Sequence, residues 1–299
     1  MYQIRTDLAA EAHKLWQEQA VRKAKLDGVS AEESELEGFS VEKIRILNAE
    51  GAGRLGKPVG EYVTMYLTGL LRRERDSFSR AVRALAAALN GLLPEGEGAV
   101  LVAGLGNRAI TPDAIGPLAV DSVLVTRHLR EQMPEQFGGF RPVSAVAAGV
   151  LGTTGVESGE LVQAVAGRVK PELVIAVDAL AGRSMERLCA TVQLTDTGII
   201  PGSGVGNRRA GLNVETLGVP VIAIGVPTVV EAGTLALDLL RQAGQEPTEE
   251  FLGGAEASLI VTPKDIDRTV AELGRLIGFG INLALHPWLT LGDLEMMVG

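Results

Sequence analysis

Apolar residues recur along the chain with two periods. Near the start, Leu8, Ala12, Leu15 and Trp16 fall on one helical face, predicting a helix over 8–26 with Thr6 or Asp7 as its cap. The acidic, turn-rich stretch DGVSAEESELEG (27–38) reads as a loop. Two strand-like runs follow at 41–47 and 61–67, joined by AEGAGRLGKPVG, which suits a long hairpin loop. After a helix over 75–92 the pattern becomes regular. Short apolar, β-branched runs at 99–103, 143–147, 173–177, 221–224 and 259–261 alternate with helix-length segments at 116–131, 159–169, 229–242 and 266–279. Continuous apolar strands separated by helices predict an α/β fold, a mostly parallel sheet with helices on both faces. Residues 191–195 add an edge strand. The whole reads as one α/β domain carrying an N-terminal α+β extension.

Composition narrows the function. The chain has 299 residues, 46% of them hydrophobic, and a net charge of −9 from 28 Lys+Arg against 37 Asp+Glu. Such a chain has no global attraction for nucleic acid or an anionic membrane, so neither is expected as a partner. A single cysteine (Cys189) excludes a disulfide framework and a cysteine-rich zinc site. Three scattered histidines (His13, His128, His286) argue against a multi-histidine metal centre, so no metal and no cofactor is expected. The charged N-terminus lacks a signal-peptide core, and no apolar stretch reaches the roughly 20 residues of a membrane helix; cytoplasm is the expected location.

In an open parallel sheet the functional crevice lies beyond the carboxyl ends of the strands. The run 99–103 is followed by Gly104-Leu105-Gly106-Asn107 and then Thr111-Pro112-Asp113. The run 173–177 leads into Asp178 and on to Arg183, and 191–195 into Asp196 and the glycine-rich loop holding Gly202 and Gly204. Three acids thus gather near one rim. Two carboxylates held close share a proton, which lets one polarise a carbonyl while the other takes a proton from water. An acid at a strand end also serves as a helix cap or loop organiser, and for Asp113 and Asp178 both roles stay open. Asp196-Thr197-Gly198 copies the triplet of pepsin-like proteases but sits in α/β surroundings. The glycine clusters lack the spacing of a dinucleotide fingerprint or a P-loop. No Gly-x-Ser-x-Gly elbow surrounds Ser158, Ser184 or Ser203, and Cys189 reads as a small buried hydrophobe.

Taken together, IRTDLAAEAH (4–13), GLGNRAITPDAIGP (104–117), VLVTRHL (123–129), FRPVSAVAAGVLGTTGVES (140–158), KPELVIAVDALAGRS (170–184), TDTGIIPGSGVGNRR (195–209) and ETLGVPVIAIGVPTVVEA (215–232) resemble the germination proteases of spore-forming bacteria. The resemblance implies an atypical aspartic endopeptidase, similar in fold to the hydrogenase-maturation endopeptidases. It implies action on small acid-soluble spore proteins in the developing and germinating spore core. Its catalytic aspartates fall on Asp113 and Asp178, with Asp196, Arg183, Gly202 and Gly204 as candidates for positioning substrate. It further implies a homotetramer made as a zymogen that removes residues 1–7 by cutting Asp7–Leu8, at the start of the first helix, leaving 8–299 as the peptidase domain. Arg108-Ala109 and Gly182 depart from the family pattern without touching the aspartates. Rival readings are a metal-dependent maturation peptidase, marked by chelator sensitivity, and a non-catalytic peptide-binding protein, marked by intact substrate after long incubation.

Overall fold

The computed structural model describes residues 7–19, 27–201, 210–245 and 259–298. Among them nine strands join in one sheet: β1 (Val29–Leu36), β2 (Phe39–Ile46), β3 (Gly60–Tyr66), β4 (Val100–Leu105), β5 (Val143–Gly149), β6 (Leu173–Gly182), β7 (Thr191–Thr195), β8 (Val221–Glu231) and β9 (Ile260–Val261). The order across the sheet is β1-β2-β3-β7-β8-β6-β4-β5, with β9 on the far end of β8. Strands β5, β4, β6 and β8 run parallel, which bears out the α/β reading. The N-terminal strands extend the same sheet antiparallel through β7.

Both faces are covered. On one, alternate residues Val100, Val102, Ile175, Val177 and Ile224 pack against the helices Ser77–Asn90 and Ile266–Leu285. On the other, Leu101, Ala103, Val174 and Ala176 pack against the helix Ser158–Val169, while Ile44, Ile46 and Tyr62 receive the first helix, Ala9–Gln19. A strand covered on both faces must be apolar at every position, which is why these runs carry no alternation.

Several expectations need correction. Residues 27–38 contain β1, which pairs with β2 from Val29↔Ile46 to Leu36↔Phe39 around a turn at Glu37 and Gly38, both at positive φ. β1 lies at the sheet edge, and its Glu32, Glu33 and Glu35 are charges suited to an unpaired edge, so its strand character has no hydrophobic signature. The glycine-rich connection holds the helix Ala49–Leu55, capped by Asn48, whose side chain accepts the Gly51 N–H, and ended by Gly56 in the left-handed region. The expected helix over 116–131 breaks into Ile115–Asp121 and Arg127–Gln132. Buried Asn282 plugs the break, donating to Ser122 O and accepting the Leu124 N–H. β7 is not an edge strand but joins the two halves of the sheet.

Beside the sheet, His286 is fully buried among aromatic rings, 5.1 Å from Phe140 and 5.5 Å from Trp288 between ring centroids. Its ring nitrogens have no hydrogen-bond partner among the described residues. Burial first, and the positive charge of Arg141 second, push its pKa down to about 4. The folded state therefore keeps this ring neutral where the unfolded chain protonates it. The stability it permits is complete above pH 6.5 and is lost as pH falls toward about 4. Between pH 7 and 4.5 the wild-type chain should lose roughly 2–3 kcal/mol more stability than a His286→Leu variant, as read from urea-unfolding midpoints.

Candidate active site

The pairing of β4 with β6 ends at Gly104↔Val177, whereas β6 continues beside β8 as far as Gly182. β5 lies on one side of β4 and β6 on the other, so the chain reverses direction across the sheet here, and a crevice opens outside the strand ends. Asp178 is the first residue of β6 past the last β4 pair. It is only 5% exposed, and its Oδ1 accepts the N–H of Ala179 at 2.9 Å.

Asp113 reaches the same crevice from the loop after β4, at the end of the short 3-10 turn Thr111–Asp113. Its Oδ2 accepts the Asn107 N–H at 2.7 Å. The loop is pinned from β8, where the Thr228 hydroxyl donates to the Pro112 carbonyl at 2.6 Å. Gly106 has φ +104°, and a side-chain carbon there would run into the Asp113 carbonyl oxygen. Asp113 and Asp178 line one cavity of about 260 Å³, walled largely by apolar groups including Leu105, Val150, Leu180 and Val229.

Asp7 lines this cavity too. Its N–H donates to Ala181 O at 3.2 Å and its Oδ2 accepts the Ala181 N–H at 3.0 Å, so it pairs with the part of β6 that outruns β4. The Asp7 carbonyl accepts from Lys57 Nζ at 3.0 Å and Gln193 Nε2 at 3.3 Å, while Gln193 Oε1 accepts the Ala9 N–H at 2.7 Å. One amide side chain thus spans both sides of the Asp7–Leu8 bond. Leu8 and Ala9 are wholly buried. Burial lowers the pKa of the Lys57 ammonium, against the pull of the carboxylates of Asp7 and Glu11.

Of the residues expected from sequence, the structure brings together Asp113, Asp178 and Asp7, with Leu8 alongside. Asp196 does not join them: it is exposed at the end of β7, and its Oδ1 accepts the Glu61 N–H on β3 at 2.8 Å. The Arg183 side chain is turned to an ion pair with Asp238 at 3.1 Å. Gly202 and Gly204 lie outside the described residues. Lys57 and Gln193 carried no signal, since each is a lone polar residue outside any motif, while the cavity-lining Ser158 closes the segment 140–158 without the elbow of a nucleophile. Cys189 is buried with its thiol pushed up to about 12 by burial and by Asp265, so it keeps its proton at neutral pH, and His128 is exposed. Among the described residues no three His, Cys, Asp or Glu side chains are grouped to hold a metal ion, and no helix is long and apolar enough to cross a membrane.

A family model described as germination protease matches residues 9–248. The chain is 44% identical to the germination protease of Caldanaerobacter subterraneus subsp. tengcongensis, covering 99% of this chain and 98% of that protein. It is 41% identical to the germination protease of Clostridium perfringens, covering 99% of each. For that of Halalkalibacterium halodurans the identity is 39%, over 95% of this chain and 94% of the relative. Among solved structures, the [NiFe] hydrogenase maturation protease HycI from Thermococcus kodakarensis aligns with a TM-score of 0.33 at 17% identity, over 64% of this chain and 98% of that one.

The placement of Asp113 depends on a backbone that only glycine accepts easily at position 106. Gly106→Ala should lower stability by about 1–3 kcal/mol in thermal unfolding. Gly152→Ala, at a site with open space around it, should change it by less than about 0.5 kcal/mol.

Proposed function

The chain belongs to the germination protease family, and on that premise we propose that it is a self-processing aspartic endopeptidase that degrades small acid-soluble spore proteins. Protease function in spores follows from the family; the finer reading rests on one observation. Asp113 and Asp178 line the same cavity as Asp7, the residue whose carbonyl belongs to the bond expected to be cut.

Like charges among apolar walls repel strongly, so a neighbouring pair of carboxyls keeps one proton between them over a wide pH range. The protonated member donates toward the carbonyl oxygen of the scissile bond. The ionised member takes a proton from water as the water oxygen attacks the carbonyl carbon. Collapse of the tetrahedral species breaks the C–N bond, and the leaving amine takes up a proton from the pair. In self-processing that amine is the new N-terminus at Leu8. The helix begins at Ala9 while Asp7 pairs with a strand, so this bond lies outside the helix and needs no unwinding before the cut. The seven residues released form the propeptide and 8–299 the peptidase domain.

We assign the activity to the spore core and the working assembly to a homotetramer; sedimentation should give four chain masses, and a monomer or dimer would remove that element. Asp113→Asn and Asp178→Asn should each slow cleavage by about 10²–10⁴-fold while circular dichroism stays unchanged. Mass spectrometry checks this on loss of residues 1–7 and on a peptide copying residues 4–13. Wild-type rates in either variant would remove the mechanism.

A further inference from the structure

Asp7 and Leu180 line two cavities at once. One is the crevice of Asp113 and Asp178; the other, of about 220 Å³, is lined also by Lys57, Tyr62, Gln193 and Thr195. The donors to the Asp7 carbonyl oxygen both belong to the second cavity, Lys57 Nζ at 3.0 Å and Gln193 Nε2 at 3.3 Å.

Both donors are held in place by groups other than that oxygen. Gln193 is buried on β7, between β3 and β8, and its Oε1 accepts the Ala9 N–H at 2.7 Å. A backbone N–H only donates, so Oε1 must face Ala9 and Nε2 must face the carbonyl. Lys57 follows Gly56, whose φ of 63° ends the helix Ala49–Leu55, and its own N–H donates to Ala52 O at 3.3 Å. On its other side the Pro58 carbonyl accepts from the Tyr62 hydroxyl on β3 at 2.9 Å. The carboxylates of Asp7 and Glu11 oppose the loss of the Lys57 charge on burial.

When water adds to a carbonyl carbon, the oxygen becomes an alkoxide with three lone pairs. A cation and an amide already aimed at it bind more strongly as that charge grows, and they need no rearrangement to do so. Two donors leave one lone pair for the protonated acid, whose cavity meets theirs at Asp7.

We propose that Lys57 and Gln193 are catalytic residues that form an oxyanion hole, so that water attacks from the side of Asp113 and Asp178 while negative charge gathers on the side of Lys57 and Gln193. Neither residue forms a bond to the substrate. As the C–N bond breaks, the oxygen returns to the double bond of the new carboxyl group and both donors keep their protons. Placing this oxygen at the bond that is cut rests on the endopeptidase reading. Asp7 departs with the released residues, and the same two donors, both within 8–299, then receive the carbonyl of an incoming substrate.

The test follows self-processing of full-length chains by mass spectrometry, as a first-order loss of residues 1–7. Hydrogen exchange at the Ala9 and Ala181 N–H groups reports whether the N-terminal segment stays seated. Lys57→Met should slow the cut by about 10²–10³-fold with both amides still protected. Gln193→Glu, which keeps the acceptor for Ala9 and loses the donor, should slow it by about tenfold or more. Lys57→Cys should be as slow as Lys57→Met until bromoethylamine converts the new thiol into a near copy of the lysine side chain, which restores the rate; iodopropane, adding a neutral chain, should not. Cys189 is buried and does not compete for either reagent. Should Lys57→Met lose its circular dichroism, Gln193→Glu and the two alkylations decide the matter. Wild-type rates in the variants, equal rescue by both reagents, or slow cutting explained by lost protection at Ala9 and Ala181 would overturn the oxyanion hole and leave the endopeptidase standing. A wild-type chain that never loses residues 1–7 would sink the self-processing reading itself, and the oxyanion hole with it.

Discussion

The site depends on a difference in strand length. β6 and β8 stay paired well beyond the point where β4 stops, and that overhang creates everything chemically notable in the molecule. It sets Asp178 at the mouth of a crevice while keeping its backbone inside the sheet. It leaves room for the loop after β4 to fold back and bring in Asp113. It also offers a strand edge past β4 to which Asp7 attaches. An open edge is a hazard in most proteins because any extended segment can pair with it. Here Asp7 covers part of it, through one backbone bond to Ala181 and a second from its side-chain carboxylate.

One of the two bonds to Ala181 runs through the Asp7 carboxylate, so the attachment depends on that side chain as well as on the backbone. Leu8 is fully buried, and the Glu11 carboxylate is gripped by the Arg183 and Ser184 amides. The Asp7 carbonyl, held by Lys57 and Gln193, is fixed as firmly as either.

The sequence disclosed the parallel strands because burial on two faces leaves an uninterrupted apolar run, and it disclosed Asp113 and Asp178 because each acid follows such a run. It concealed β1, whose edge position favours charge, and the far halves of β6 and β8, where Asp178, Gly225 and Pro227 look like strand breakers. It misled at Asp196, where a familiar triplet drew attention to a carboxylate engaged with the Glu61 amide of β3. Lys57 and Gln193 had no local signature at all: their meaning lies in what the fold lays against them from far away in the chain.

The same remoteness governs how the sheet is assembled. β3 finds its second neighbour only in β7, more than a hundred residues later, and β7 in turn leans on β8. A nascent chain leaving the ribosome can close the first hairpins early, but β3 emerges with one side bare and stays so until most of the polypeptide has been made. The N-terminal strands are therefore completed late although they are synthesised first, and the groove that receives Asp7 comes into being only when Lys57 has met Ala181 and Gln193, more than a hundred residues further on.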